Sequence, residues 1–253
     1  MRETVLFNVV LVLWLVLAAV TFCALFFITA PYGRFTREGW GPKINRIWGW
    51  IVMEMPSPLL MIVFFILGGR FSDPVPIVFL LLWEGHYIYR TFLFPFRMRG
   101  DRRHMTLLTV LLGVLFNLGN GYLNGAWLFV LSPDYTLGWF KDPRFIAGIL
   151  LFLTGLAIHV HSDNILRSLR APGESGYKVP QGGLFTHVSS ANYFGEILEW
   201  AGWAIATWSP AGLVFFIWTA ANLVPRAWSN HRWYRSHFPD YPMERKALIP
   251  FVL

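Results

Sequence analysis

Nine ionisable residues lie inside long apolar runs of this sequence: Glu54, Glu84, His86, Arg90, His159, His161, Asp163, Glu196 and Glu199. A charge in mid-bilayer is costly, so such groups normally face a protein interior and mark function. Any one of them could be a buried pair that fixes helix packing. Their spacing argues for a shared lining instead. Asn117, Asn120 and Asn124 fall at i, i+3 and i+7, and His159, Asp163, Arg167 and Arg170 run along one helical face. Asn192, Glu196 and Glu199 form a third stripe, and Asn222, Arg226 and Asn230 a fourth. Residues three and four apart on a helix point the same way. Four polar stripes grading into arginine at one end predict a cavity with a polar lining and a cationic mouth. Guanidinium groups present paired donors in a fixed fork and suit phosphate. Asn, Asp and Glu deeper in suit the hydroxyls and amide of a nucleotide cofactor. The opposite end, rich in Phe, Leu, Met and Trp, would accept a flat lipid.

The elements that must position these groups follow from composition. The 253 residues are 55% hydrophobic, 18% aromatic and only 14% charged, with mean hydropathy +0.48. Soluble domains carry about 25% charged residues. This excludes a disordered chain, a coiled coil and an ordinary soluble α/β enzyme. A single cysteine, Cys23, excludes a disulfide scaffold and a multi-cysteine metal site. The net charge of +7 is assigned to anionic lipid headgroups rather than nucleic acid, because the chain is so apolar. A membrane helix needs about 20 mostly apolar residues. Seven stretches qualify: 5–30, 47–69, 74–96, 105–132, 144–167, 191–208 and 210–234. The first is too long for a signal-peptide core and has no small-residue cleavage pattern after it, so it is read as a span.

The sequence therefore predicts one all-α integral membrane domain with seven transmembrane helices. Lysines and arginines orient it. Four fall in 31–46, four in 97–104, three in 167–178 and five in the C-terminal segment, against four on the opposite face. Positive residues favour the cytoplasmic side. The N-terminus is predicted outside and the C-terminus cytoplasmic. This would be a multi-pass protein of the inner membrane if bacterial, or of the endoplasmic reticulum if eukaryotic.

Motifs for soluble nucleotide binding are absent. Gly119-Asn-Gly-Tyr-Leu-Asn-Gly125 has the wrong final spacing for GxGxxG and follows no strand, so it reads as close helix packing or a cofactor-lining turn. No Walker sequence is present. His159-Val-His161-Ser-Asp163 resembles ligand chemistry, but residues i and i+2 on a helix point about 200° apart. The two histidines cannot share an ion, and no metal is expected. His159 and Asp163, at i and i+4, can cooperate in hydrogen bonding. His86, His104, His187 and His237 read as packing or interfacial residues.

Several segments closely resemble the steroid 5α-reductases (3-oxo-5α-steroid 4-dehydrogenases): Gly119-Asn-Gly121, His161-Ser-Asp163, Ile165-Leu-Arg167, Leu169-Arg170 and Pro172-Gly-Glu174. Pro180-Gln-Gly-Gly-Leu-Phe185, Ala191-Asn-Tyr-Phe-Gly-Glu196, Glu199-Trp200, Asp240-Tyr-Pro242 and Arg245-Lys-Ala-Leu-Ile-Pro-Phe251 extend the match. It is continuous from about residue 115 and thinner before that, resting on Glu54-Met-Pro-Ser57, His86-Tyr87 and Arg90-Thr91. The chain departs from the animal members at Met53, where they carry Gln, at His159 (Asn) and at Asn230 (His).

The resemblance implies NADPH-dependent reduction of the Δ4 double bond of a 3-oxo-Δ4 steroid, with hydride reaching C5 and negative charge building on the carbonyl oxygen. Glu54 and Tyr87 resemble the pair that contacts the 3-keto group. A carboxyl in an apolar pocket tends to stay protonated and can donate, so the two are expected to act together as oxyanion donors. By the same resemblance, Asp163, Arg170, Asn192, Glu196, Arg226 and Tyr234 should hold NADPH. Asn120, His159 and Asn230 are further cofactor-side candidates. Arg170 or Lys178 is expected at the 2′-phosphate, with Arg90, Arg99 and Arg102 as further phosphate candidates. Arg34, Arg37, Arg245 and Lys246 are expected only to anchor the chain at headgroups. Residues 1–104 would form mainly the steroid side and 105–253 mainly the NADPH side. Reduction of another sterol or enoyl lipid, or an isoprenylcysteine-type methyl transfer from S-adenosylmethionine, is the alternative. The strength of the cationic mouth favours a doubly phosphorylated dinucleotide over that sulfonium cofactor. A transporter is disfavoured by the absence of an inverted repeat.

Overall fold

The computed structural model describes residues 2–29, 35, 39, 41–99, 104–171, 174 and 176–253. Helix α1 covers Arg2–Phe27, and a three-residue strand β1, Lys43–Asn45, precedes α2, Arg46–Glu54. The Asn45 side chain accepts the Ile47 and Trp48 N–H groups and starts α2. Pro56 has no N–H to continue the helical ladder, so α2 gives way at Met55 to α3, Pro56–Gly68. Glu54 thus sits at the last turn of α2. Helix α4, Pro74–Ile88, passes into a π-helical turn, Tyr89–Leu93, and a short α5, Phe94–Arg97. Strand β2, His104–Thr106, pairs antiparallel with β1, a two-stranded ribbon the all-helical reading did not foresee. Helix α6, Leu107–Ala126, also ends in a π-turn, Trp127–Leu131. Helices α7, Pro143–Ser168, α8, Ala191–Thr207, and α9, Pro210–His237, complete the bundle.

Each predicted span therefore corresponds to helix. Four helices, Arg2–Phe27, Arg46–Gly68, Leu107–Leu131 and Pro143–Ser168, are long and apolar enough to cross a membrane. That is the pattern of a multi-pass membrane protein. The α4 segment is only 15 residues before its π-turn, and the 17-residue α8 carries Glu196 and Glu199.

One aromatic core, with Phe79 and Trp83 of α4, Phe152 of α7, Trp200 and Trp203 of α8 and Phe215 of α9, holds the bundle centre. A second joins Phe7 and Trp14 of α1 to Leu123 of α6 and Val214 of α9. Most of α1 otherwise turns Val5, Val9, Val12, Val16 and Val20 outward, as a lipid-facing helix must. Glycines decide how closely the helices approach. A Cβ on Gly119 would collide with the Trp14 ring, so Gly119-Asn-Gly121 is a packing site. Gly155 and Gly195 let α7 and α8 touch backbone to backbone, which brings His159 beside Glu199.

Candidate active site

Two polar regions meet at Tyr89 and Arg90. The first is a cavity of about 300 Å³ among the π-turn, α7, α8 and α9. Arg46, Arg97, Arg99, Arg167, Arg170 and Arg226 line it, and Asp163 is the sole carboxylate among the described lining residues. Asn192, Asn230 and Tyr234 also line it, with the aromatic rings of Tyr89, Phe94, Tyr177 and Tyr193. The guanidiniums are held on rings: Arg226 lies 4.9 Å from the Tyr193 ring centre and donates to its hydroxyl at 2.7 Å, and Arg170 lies 5.0 Å over Tyr177. Six cations and several flat rings around one hollow fit a phosphorylated, ring-bearing ligand such as a dinucleotide.

Of the residues expected to hold the cofactor, Arg99, Asp163, Arg170, Asn192, Arg226, Asn230 and Tyr234 line this cavity. Asn192 donates to Asp163 Oδ1 at 3.3 Å, and Tyr89 donates to Asp163 Oδ2 at 3.4 Å. Glu196 and His159 stand behind that rim, with His159 Nε2 3.3 Å from Asp163 and 3.9 Å from Glu196. Lys178 is not among the lining residues. It is exposed and pairs with Glu174 at 2.6 Å; with the Ala171 N–H it holds that carboxyl below the usual carboxylate range. Arg102, Arg34 and Arg37 lie outside the described residues. Arg46, Arg97 and Arg167 were not singled out for the cofactor. Arg167 lay on a predicted stripe, whereas Arg46 and Arg97 had counted only toward orientation.

Arg245 corrects an expectation. It is buried (3% exposed) and donates to Pro180 O at 2.9 Å and Gln181 Oε1 at 2.7 Å. It ties the C-terminal segment to the link before α8 instead of reaching headgroups.

The second region is the pair Glu54 and Tyr87, both buried. Asn117 of α6 donates to Glu54 Oε2 at 3.4 Å and accepts from the Tyr87 hydroxyl at 3.4 Å. Asn120 donates to the Tyr87 oxygen at 3.2 Å, so Asn120 serves this pair and is not in the arginine cavity. Arg90 Nη2 stands 3.6 Å from Glu54 Oε1, with its guanidinium over the rings of Trp50 and Phe94. Glu54 is thus buried, with Asn117 and Arg90 as its polar neighbours. Tyr89 faces the cavity while Arg90, its neighbour, faces Glu54. The π-turn that carries both is a geometry frequent at functional sites.

Beneath them lies a buried chain that begins at His86, one of the histidines the sequence assigns to packing or an interface. Its Nδ1 is 2.7 Å from Glu199 Oε1, and Glu199 Oε2 is 3.4 Å from His159 Nδ1. Ligand-type atoms of His86, His159 and Glu199 lie within 4.8 Å of one another. The 2.7 Å contact between His86 and Glu199 is a hydrogen-bond distance. His161 is exposed and turned away, as the helical period requires.

A sequence profile for 3-oxo-5-alpha-steroid 4-dehydrogenase matches residues 103–253. Steroid 5-alpha-reductase DET2 of Gossypium hirsutum is 40% identical over 257 residues, covering 99% of this chain and 98% of that protein. The 3-oxo-5-alpha-steroid 4-dehydrogenase 1 of Rattus norvegicus is 41% identical over 239 residues, or 94% and 92% of the two chains. The 3-oxo-5-alpha-steroid 4-dehydrogenase 2 of Sus scrofa is 43% identical over 243 residues, 93% of each. With identities near 40% along almost its whole length, and with an arginine-lined cavity beside a buried Glu–Tyr pair, the chain belongs to the steroid 5α-reductase family of oxidoreductases.

Proposed function

We propose that this protein reduces the Δ4 double bond of 3-oxo-Δ4 steroids with NADPH, giving 5α-reduced 3-oxosteroids. The observation that carries this function is the junction at Tyr89–Arg90, where a cationic cavity abuts a buried donor pair. Arg46, Arg97, Arg99, Arg167, Arg170 and Arg226 would hold the phosphates, Arg170 being the choice for the 2′-phosphate since Lys178 is engaged with Glu174. Asp163, Asn192, Asn230 and Tyr234 would hold the sugar and amide groups, with His159 and Glu196 behind them. Bound there, NADPH supplies a hydride to the carbon β to the carbonyl, the steroid C5.

The chain's own part is electrostatic. With the steroid bound, the Tyr87 hydroxyl donates to the carbonyl oxygen in place of Asn117, so it is already aimed there when negative charge builds as that carbon is reduced. Glu54 is the acid beside Tyr87, and Arg90 adds fixed positive charge at the same place. Donors held in place before charge develops need no reorganisation. The α-carbon then takes a proton.

Seven spans, with the N-terminus outside, belong to the same proposal. They put the arginine-lined end on the cytoplasmic side, where a dinucleotide arrives. The steroid end is assigned to residues 1–104 and most of the dinucleotide end to 105–253, with Arg46, Arg97 and Arg99 crossing that division. Purified protein in lipid nanodiscs, given NADPH and a Δ4-3-oxo steroid, should consume absorbance at 340 nm in step with 5α-product seen by mass spectrometry. No consumption with any Δ4-3-oxo steroid overturns the proposal.

A further inference from the structure

The three asparagines of α6 and side chains from other helices form one directional chain. Trp203 Nε1 donates to Asn124 Oδ1 at 2.9 Å, and Asn124 Nδ2 donates to Asn120 Oδ1 at 3.0 Å. Asn120 Nδ2 donates to the Tyr87 oxygen at 3.2 Å and Tyr87 donates to Asn117 Oδ1 at 3.4 Å. The Asn117 NH₂ goes to the Met53 and Gly113 carbonyls at 2.8 and 3.2 Å, with Glu54 Oε2 at 3.4 Å. Every bond runs the same way, from α8 toward Asn117. Trp203 and Asn124 are wholly buried and Asn120 is 2% exposed, so bulk water cannot stand in for a missing partner.

The reason for the common direction is chemical. An indole N–H can only donate, whereas an amide side chain does both and a phenol hydroxyl can turn either way. With Trp203 fixed as a donor, Asn124 must present its oxygen to it and its NH₂ to Asn120. Asn120 must then present its NH₂ to Tyr87. The Tyr87 oxygen is therefore an acceptor on that side, and its proton points away, toward Asn117 and Glu54. A hydroxyl that accepts one hydrogen bond is a stronger donor in the next, because bonds in a chain polarise one another.

We propose that Trp203, Asn124 and Asn120 are positioning residues that set the direction of the Tyr87 hydroxyl, so that it meets the substrate carbonyl as a donor. This rests on the assignment of Tyr87 as a donor to that carbonyl. None of the three is required to touch the steroid or the dinucleotide. Their influence on turnover passes through one oxygen atom.

A double-mutant cycle with Tyr87→Phe tests the relay. Trp203→Phe removes the indole N–H while leaving an aromatic ring in the core. In the otherwise unaltered enzyme it should lower kcat by about 5- to 10-fold, the worth of one hydrogen bond, with the steroid KM and NADPH Kd within about 2-fold. In the Tyr87→Phe enzyme, the same substitution should leave kcat where it is. A packing defect would lower kcat by the same factor in both backgrounds, and that result, or an unchanged kcat in the first, overturns the relay. Asn124→Leu, which breaks the chain one bond further along, must give the same non-additive pattern; it carries the test should Trp203→Phe fail to fold. If Tyr87→Phe alone leaves kcat unchanged, the donor assignment falls and the relay with it. That outcome is distinct from loss of the relay alone.

Discussion

Replacing Glu54 by Gln is the sharpest probe of the donor pair. The change keeps shape, and the new side-chain oxygen can still accept from Asn117, but the acidic O–H beside Arg90 is lost. Asp163 and Glu196 also bear on Arg90, so its cation stays compensated. The stability cost should therefore stay below the ~3–5 kcal/mol of leaving a buried charge alone. Turnover has no such reserve. Loss of one preorganised group at a developing oxyanion costs about 10²–10³ in kcat, roughly 2.7–4 kcal/mol. Single-turnover NADPH oxidation at saturating steroid reads kcat, calorimetry reads the NADPH Kd, and a thermal melt reads stability. We expect the large loss in the first and a change within about 3-fold in the second. A folded Glu54→Gln enzyme with kcat within about 3-fold of the unaltered protein would refute the assignment.

Arg170→Gln should weaken NADPH far more than NADH, narrowing their kcat/KM ratio by about 10-fold or more, while Lys178→Gln leaves it nearly unchanged. Equal effects of the two would remove Arg170 from the 2′-phosphate. In Gly195→Ala, the new Cβ would lie 2.5 Å from the His159 backbone nitrogen, forcing α7 and α8 apart at a cost of about 1–3 kcal/mol. An unchanged thermal midpoint would mean that this seam is not as tight as described. Arg245→Ala removes both bonds to the 180–181 link and should lower stability by about 2–4 kcal/mol, with the melting temperature as readout. A change in membrane partition with no loss of stability would restore the headgroup role.

Helix existence was legible in the sequence because it depends on local hydrophobic runs. The predicted stretches 105–132 and 144–167 correspond closely to Leu107–Leu131 and Pro143–Ser168. The polar stripe on α7 was legible for the same reason: helical period alone puts His159 and Asp163 on one face, and they meet at 3.3 Å. The stripe of α6 was legible as a face, but not its use. Spacing says that Asn117, Asn120 and Asn124 point together; it does not say that they meet Tyr87, Glu54 and Trp203 from three other helices.

The identity and one-dimensional placement of the chemistry-bearing residues were set by the sequence, since membrane cost restricts where charge can occur and helical geometry fixes which residues share a face. Which stripe faces which was decided only in the folded bundle, by small residues such as Gly155 and Gly195 that let two helices close, and by the proline that ends α2 beside Glu54. Arg46 and Arg97 joined the cavity, Lys178 paired outside it and Arg245 turned inward for the same reason. A long side chain goes to whatever partner the neighbouring elements bring within reach, and that partner is distant in the chain.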